Sequence, residues 1–325
     1  MVFDMDSVSQ ALFGGLSASA CSRNTNLRQT FFCGAIGGTL PDLDAWIGAL
    51  FGPLQERLWH RGPSHSFFVL GLLGLAVVLS RRKLPDRFYG VLLSVWVGTF
   101  THPLLDVLTG FETAWGYPFF NPSSLGWFPV LEPVLLILLI VASLGLLYFR
   151  HWWCAPGGLA LLFLWFLIVG GVHWNVSTQV KESRALGGER VLVRPMLASF
   201  LTYRVLWVTP ERCEIAAYQP FGDQPSWSRL QGNVRVKPSS DIPALPAALL
   251  NAGCFVETAD GALGDLRFAL TPDSAEPLWL WRHGTEGWTR EARRKMNEER
   301  KTHFFSLWRG DRPADWTSEL REVED

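Results

Sequence analysis

The sequence predicts an all-α polytopic membrane domain of about six helices, two of them short, followed by a small β-rich soluble domain with a C-terminal helix. Three observations carry this. Leu, Val, Phe, Trp and Gly dominate residues 88–174, whereas Arg, Glu and Asp gather after Gln179. Two apolar runs, residues 89–108 and 130–149, are long enough at ~1.5 Å per residue to cross a hydrocarbon core. After Trp174 the pattern turns to short alternating runs punctuated by Pro and Gly. The expected domains are residues 1–175 and 176–325.

At the amino-terminal end, residues 7–21 and 27–40 form two short apolar helices joined by the polar turn Ser22-Arg23-Asn24-Thr25-Asn26. Their Gly and Ala content lets helices approach closely, as membrane interfaces require. Residues 64–79 and 157–174 lie at the short end of what spans a bilayer. Runs of that length also build buried helices in soluble cores, but these neighbours favour spanning. The first residues, with Asp4 and Asp6 and no basic segment, do not form a cleavable signal peptide. The chain's 16 Trp fit headgroup regions, where an indole buries its ring and keeps its N–H wet.

Basic residues set an orientation. Arg81, Arg82, Lys83 and Arg87 form one short loop, and placing it in the cytoplasm also puts Arg23, Arg28, Arg150 and His151 inside. Residues 40–61, 110–129 and everything after His173 then lie on the outer face, as in a multi-pass protein of a bacterial inner membrane with an extracytoplasmic C-terminal domain. Strands are expected at 190–194, 203–209, 213–218, 233–237, 266–270 and 278–282, and a charged helix near 288–305. In that topology Cys213 and Cys254 are the two cysteines in the oxidising compartment and are placed to pair. No CxxC spacing supports thiolate metal ligation. A net charge of −1 without a charged tail sets nucleic acid aside as a partner.

Three stretches put ionisable groups where a membrane protein avoids them: Leu40-Pro41-Asp42-Leu43-Asp44, His60-Arg61-Gly62-Pro63-Ser64-His65-Ser66, and Thr101-His102-Pro103-Leu104-Leu105-Asp106. His102 and Asp106 are four apart, on one helix face, and can offer an imidazole nitrogen and a carboxylate to one cation. A lone carboxylate at that depth costs at least ~2.5 kcal/mol, so a partner is expected. A His–Asp bond between helices would also serve. For Asp42 and Asp44 a helix cap is the plain alternative, and for His60 and His65 a solvated loop. The topology, however, brings all three stretches to one membrane level. A set of His and carboxylate suits Zn²⁺, with Mn²⁺ or Fe²⁺ also compatible. Six candidates exceed one catalytic zinc's three protein ligands, so some orient the others or two ions bind, and at least two ions are favoured. Arg61 is read as a clamp for an anionic oxygen, with lipid headgroup contact as the alternative. Gln10 is a candidate to bond a ligand or water, or to bridge helices.

The succession of these motifs, the loop Trp115-Gly116-Tyr117-Pro118-Phe119-Phe120 and the opening Met5-Asp6-Ser7-Val8-Ser9-Gln10-Ala11-Leu12 resemble the YdjM-like family of membrane-bound metal-dependent hydrolases across residues 5–130. Residues 200–218 look like the strand pair of a longer branch. Members often carry His near position 10, where this chain has Gln10. The family is distantly similar to zinc-dependent phospholipase C, which implies hydrolysis of a phosphoester.

The reading that follows is a membrane hydrolase acting on a phosphoester of a lipid or lipid-linked substrate. Its metal ligands would be His60, His65, His102 and Asp106, with Asp42 and Asp44 as further ligands or a bridge. Arg61 and Asp44 would take part in catalysis. The alternative is a non-catalytic metal-binding membrane scaffold. An intramembrane metalloprotease is disfavoured because HExxH is missing.

Overall fold

Seven α-helices precede the first strand among the described residues: α1 (Ser7–Cys21), α2 (Leu27–Thr39), α3 (Leu43–Ala49), α4 (Phe67–Ser80), α5 (Asp86–Leu108), α6 (Pro133–Phe149) and α7 (Cys154–Ser183). A 3-10 turn, Pro63–His65, leads into α4. The computed structural model describes residues 7–22, 26–51, 56, 59–129, 131–183, 190–196, 199–208, 212–221, 225–228, 231–235, 255–257, 263–265, 279–284, 287–292, 298–309, 311 and 313. The chain divides into two units, Met1–Gly170 and Gly171–Asp325.

Local chemistry sets the helix ends of the first unit. The Asn26 side chain accepts from the Arg28 N–H, and the Ser66 hydroxyl accepts from the Val69 N–H. Glu132 caps α6 through the Leu135 N–H, with Pro133 in the first turn, where its missing donor costs nothing. Helices α1, α2 and α5 cross at backbone contact. A Cβ on Gly98 would lie 2.0 Å from the Gly34 carbonyl oxygen, and one on Gly34 would lie 2.6 Å from that of Gly14. Around this contact Phe13, Leu16, Phe31 and Leu105 form a core that continues through Leu135, Leu139 and Leu146 of α6 to Leu162 of α7.

Helices α5 and α7 are long and apolar enough to cross a bilayer, whereas α4 and α6 are apolar but shorter, at 14 and 17 residues. The expected helices match these elements, with two differences. α3 is an additional short helix, because the turn at Pro41 and Asp42 restarts helical geometry at once. α7 runs on to Ser183 because Val176 and Val180, four residues apart, are both fully buried under Tyr203, Val205 and Trp207 of the β-sheet.

The second unit contains a five-stranded antiparallel sheet in the order β1 (Arg190–Met196), β2 (Ser199–Val208), β3 (Arg212–Gln219) and β4 (Ser226–Trp227), with β5 (Gln231–Arg235) also paired to β3. β6 (Phe255–Glu257), β7 (Leu263–Asp265), β8 (Trp279–Gly284) and β9 (Gly287–Ala292) form a four-stranded meander. Alternation on β2 sends Tyr203, Val205 and Trp207 to one side. Helix α8 (Glu298–Arg309) buries Leu307 against Met196 and Ala217, and the Leu307 carbonyl accepts from the Thr202 hydroxyl.

The helix expected near residues 288–305 is corrected at its start. Gly287–Ala292 is a strand, paired with Trp279–Gly284 in a hairpin whose last pair is Gly284 with Gly287, and the helix among the described residues is Glu298–Arg309. Trp288 and Thr289 favour the pleated surface, and the two glycines suit a tight reversal. The expected strand 266–270 lies outside the described residues, as do residues 209, 236, 237 and 278. Cys213 is disulfide-bonded, whereas Cys21, Cys33 and Cys154 are free, and Cys254 lies outside the described residues.

Candidate metal centre

The three polar stretches converge on one site in the first unit. Asp42 occupies the N-cap position of α3, yet its side chain makes no capping bond, so the carboxylate is available to the site. His65 closes the 3-10 turn ahead of α4, and His102 and Asp106 share one face of α5. One donor atom from each of Asp42, His65 and His102 lies within 4.8 Å of the other two. His65 Nε2 is 3.1 Å from His102 Nε2, while Asp42 Oδ1 is 3.2 Å from His102 Nε2 and 3.8 Å from His65 Nε2. A tetrahedral zinc with bonds of about 2.0–2.1 Å has ligand–ligand edges of about 3.3–3.4 Å; two sides of this triangle are slightly shorter and the His65–Asp42 side about 0.4 Å longer, so a small shift of Asp42 makes it one tetrahedral face.

Proton placement makes the case for a cation. His102 Nδ1 lies 2.6 Å from the Gly38 carbonyl oxygen, which can only accept, so Nδ1 carries the proton. His65 Nδ1 lies 3.2 Å from Asp44 Oδ2 and 3.0 Å from the Ser64 hydroxyl. Ser64 gives its own proton to Asp44, so it too accepts from His65. Both Nε2 atoms therefore present lone pairs to each other and to Asp42. Asp106 Oδ2 adds a further acceptor, 3.2 Å from His65 Nε2 and 3.4 Å from His102 Nε2. It is buried with no hydrogen-bond donor. Four convergent acceptors repel unless positive charge lies among them, and this donor set fits a divalent ion.

Charge on the groups outside the spanning helices follows the same logic. Burial opposes ionisation of Asp42, but in the metal-free site with the imidazoles protonated, hydrogen bonds from His102 and His65 outweigh it and hold the carboxyl below its ordinary range. Asp44 is likewise brought down to about 2, burial being outweighed by His60 and His65. For His65, burial disfavours the imidazolium, yet Asp106, Asp42 and Asp44 together raise its pKa well above the ordinary value. A proton thus takes up part of the negative field in the metal-free site.

Asp44 and Arg61 are placed differently from the sequence expectation. Asp44 faces the outer nitrogens of the imidazoles: Oδ1 is 2.9 Å from His60 Nδ1, and Oδ2 meets Ser64 and His65 Nδ1. It orients histidines, the arrangement by which a carboxylate fixes the tautomer of a ligand. Arg61, read from the sequence as a clamp for an anionic oxygen, is 3 % exposed and directed inward. Its Nη2 donates to Asp106 Oδ1 at 3.1 Å, and its Nη1 donates to the Thr109 hydroxyl at 3.1 Å and the Phe111 carbonyl at 3.2 Å. Its backbone has φ 62°, a left-handed value uncommon for a residue with a Cβ. The next loop holds it there, since the Ala114 N–H donates to the Arg61 carbonyl at 2.8 Å. Buried Asp106 needs a compensating cation more than solvent needs an exposed one, which is why the guanidinium turns inward.

Gln10 bridges helices, its Nε2 donating to Asp106 Oδ1 at 2.9 Å, so Asp106 is fixed from α1 and from the ligand loop at once. Sequence reasoning did not assign Ser64, Thr109 or the Gly38 carbonyl. Ser64 lies within a quoted stretch and Thr109 three residues beyond another, so both were open to reading as hydrogen-bonding partners, but a backbone carbonyl leaves no trace in side-chain identity.

No curated protein and no solved structure matches the chain. A model of the YdjM inner membrane protein family matches residues 5–178, more than half of the sequence, and on the strength of that match the chain belongs to the YdjM inner membrane protein family.

Proposed function

We propose that the protein is an integral membrane hydrolase in which Asp42, His65 and His102 ligate a divalent ion, zinc by preference, with Asp106 Oδ2 as a further ligand. The observation that carries this reading is the pair of imidazole Nε2 atoms 3.1 Å apart, each with its Nδ1 already committed to an acceptor. When bound, the ion supplies Lewis acidity and a water acidified to a pKa of about 7. Asp44 and Ser64 hold His65, the Gly38 carbonyl holds His102, and Arg61 and Gln10 hold Asp106. Arg61, placed as it is, acts as a positioning residue.

Access is one-sided. The side chains of Arg61, His65, His102 and Asp106 are at most 2 % exposed, whereas Asp42 and Asp44 reach 19 % and 13 %. The polar end of a substrate would therefore reach the site at the start of α3, beside Asp42 and Asp44. The exposed basic turn Arg81-Arg82-Lys83 joins the far ends of α4 and α5, which supports an outer-face site above a cytoplasmic turn. A phosphoester of a lipid or lipid-linked molecule is the substrate class that suits a metal centre at that level. The Cys213 disulfide supports an extracytoplasmic second unit.

The test is purification of the full chain and His102→Ala, measurement of bound metal, and assay of both on phosphoester lipids. Zinc-dependent turnover by the wild type alone is expected. Bound metal without turnover on any class tested would favour a scaffold, and absence of metal from both proteins would end the metal reading.

A further inference from the structure

An apolar groove of about 310 Å³ runs between α4 and α5 and reaches residues adjoining the candidate metal centre. Pro41 and Ser64, which line one end, are chain neighbours of Asp42 and His65. Leu70 and Val77, 5 % and 4 % exposed, form the floor, while Leu73 and Leu92, 51 % and 39 % exposed, form the rim. From Leu70 to Val77 the helix advances about 10 Å.

The polar atoms along these walls are turned away from the groove. The Trp96 indole N–H donates to the Leu70 carbonyl at 2.9 Å, and the Thr99 hydroxyl bonds the Val95 and Gly37 carbonyls at 2.9 and 3.1 Å. Ser64 gives its proton to Asp44. The lining thus offers nothing to a polar occupant, and its volume falls in the range of small-ligand pockets. One turn of a docked helix occupies about 420 Å³, taking a 10 Å diameter and 5.4 Å pitch, which exceeds the whole groove. A single alkyl chain is the occupant that matches both chemistry and volume.

We propose that the groove seats one hydrocarbon chain of a phospholipid, with its phosphoester end directed toward Ser64 and Asp42. The inference rests on the reading of the site as a lipid phosphoester centre and adds to it the place of the chain. It makes Leu73 and Leu92 determinants of chain selection. A substrate would enter sideways from the bilayer, its chain never leaving an apolar surface.

The test uses the full-length, zinc-loaded protein in nanodiscs containing a small fraction of phosphatidylglycerol with a mid-chain diazirine. Irradiation and peptide mapping compare adducts on residues 70–77 and 92–99 with those on the lipid-facing side of α6. An excess of at least about fourfold is expected, the equivalent of one additional buried methylene. Leu73→Trp and Leu92→Trp, both at the half-exposed rim where folding tolerates bulk, each fill the groove and bring the excess down to the α6 level. Uniform labelling, or an excess that both variants leave intact, would overturn the proposal. Zinc measured on the same samples separates the two readings: excess labelling without bound zinc upholds the groove and refutes the metal centre.

Discussion

The Asp44→Asn substitution separates a centre for one ion from a centre for two. Asp44 accepts from two imidazoles, with Oδ1 2.9 Å from His60 Nδ1 and Oδ2 3.2 Å from His65 Nδ1. An amide of the same shape keeps one acceptor oxygen and turns an NH₂ toward the other ring, so one of the two histidines meets a donor instead of an acceptor. If His65 loses its partner, its Nδ1 proton is no longer held and the Nε2 lone pair is no longer aimed at the ion. Partners of this kind are worth about 10–100-fold in metal affinity, or about 1.4–2.8 kcal/mol. The expected outcome is one zinc per chain in both wild type and Asp44→Asn, with the Kd of the variant raised by about 10–100-fold. His102→Ala removes a ligand and is expected to lose the ion. Titration of metal-free protein against a chromophoric chelator, with metal counted by mass spectrometry, reads both quantities. Two zinc ions per wild-type chain falling to one in Asp44→Asn would refute the assignment, because Asp44 would then itself be a ligand. The amide can also keep its oxygen on His65 and Ser64 and turn its NH₂ to His60, so Asp44→Ala, with the same rise expected, is the variant whose unchanged Kd would refute the orienting role.

Further outcomes follow from other parts of the molecule. Gly98→Ala drives a methyl to within 2.0 Å of the Gly34 carbonyl oxygen and is expected to destabilise the helical unit by at least about 1–3 kcal/mol, whereas Gly71→Ala, with nothing within 4 Å, is expected to be silent in a detergent melt. Equal melting of the two variants would contradict the close crossing of α2 and α5. In the metal-free protein, the depressed pKa of Asp44, about 2, contributes stability that is complete above its unfolded value of about 3.9 and is lost as pH falls toward 2. The raised pKa of His65 contributes stability that is complete below about 6.5 and is lost as pH rises through its folded value. Metal-free protein is therefore expected to melt highest between about pH 4 and 6.5, and zinc to reverse the decline above that window, since ligands bind metal deprotonated. A metal-free melting point that climbs from pH 6 to 8 would count against the carboxylate cage. The exposed free thiol of Cys21 is expected to react with an impermeant maleimide only after the membrane is opened, and labelling in intact spheroplasts would invert the topology.

Much of the helical part was legible because its signal is redundant. Residues 89–108 could hardly be anything but α5, and the charges at His102 and Asp106 stood out because they were misplaced in it. Asp42, His65 and His102, whose donor atoms converge, stood out for the same reason, whereas His60, also expected as a ligand, meets Asp44 through Nδ1. Roles were harder to read. Arg61 looked like a ligand-facing cation, yet the field of a buried carboxylate 45 positions along the chain turned it inward, and no local pattern encodes that. Asp44 and Asp42 are two residues apart and chemically identical; only the turn at α3 decides that one meets the inner nitrogens and the other the outer ones. In the second unit the charged stretch 288–305 reads as one helix, but pairing of Gly287–Ala292 with Trp279–Gly284, which no local pattern announces, makes its first part a strand.

Because a main-chain atom sets the proton on His102, no side-chain exchange at position 38 can delete the acceptor. The instruction is lost only if α2 and α5 part, and their separation is held by contacts between bare backbones. If the centre holds the ion proposed above, its affinity is expected to follow the spacing of α2 and α5, and through that spacing the thickness of the surrounding lipid.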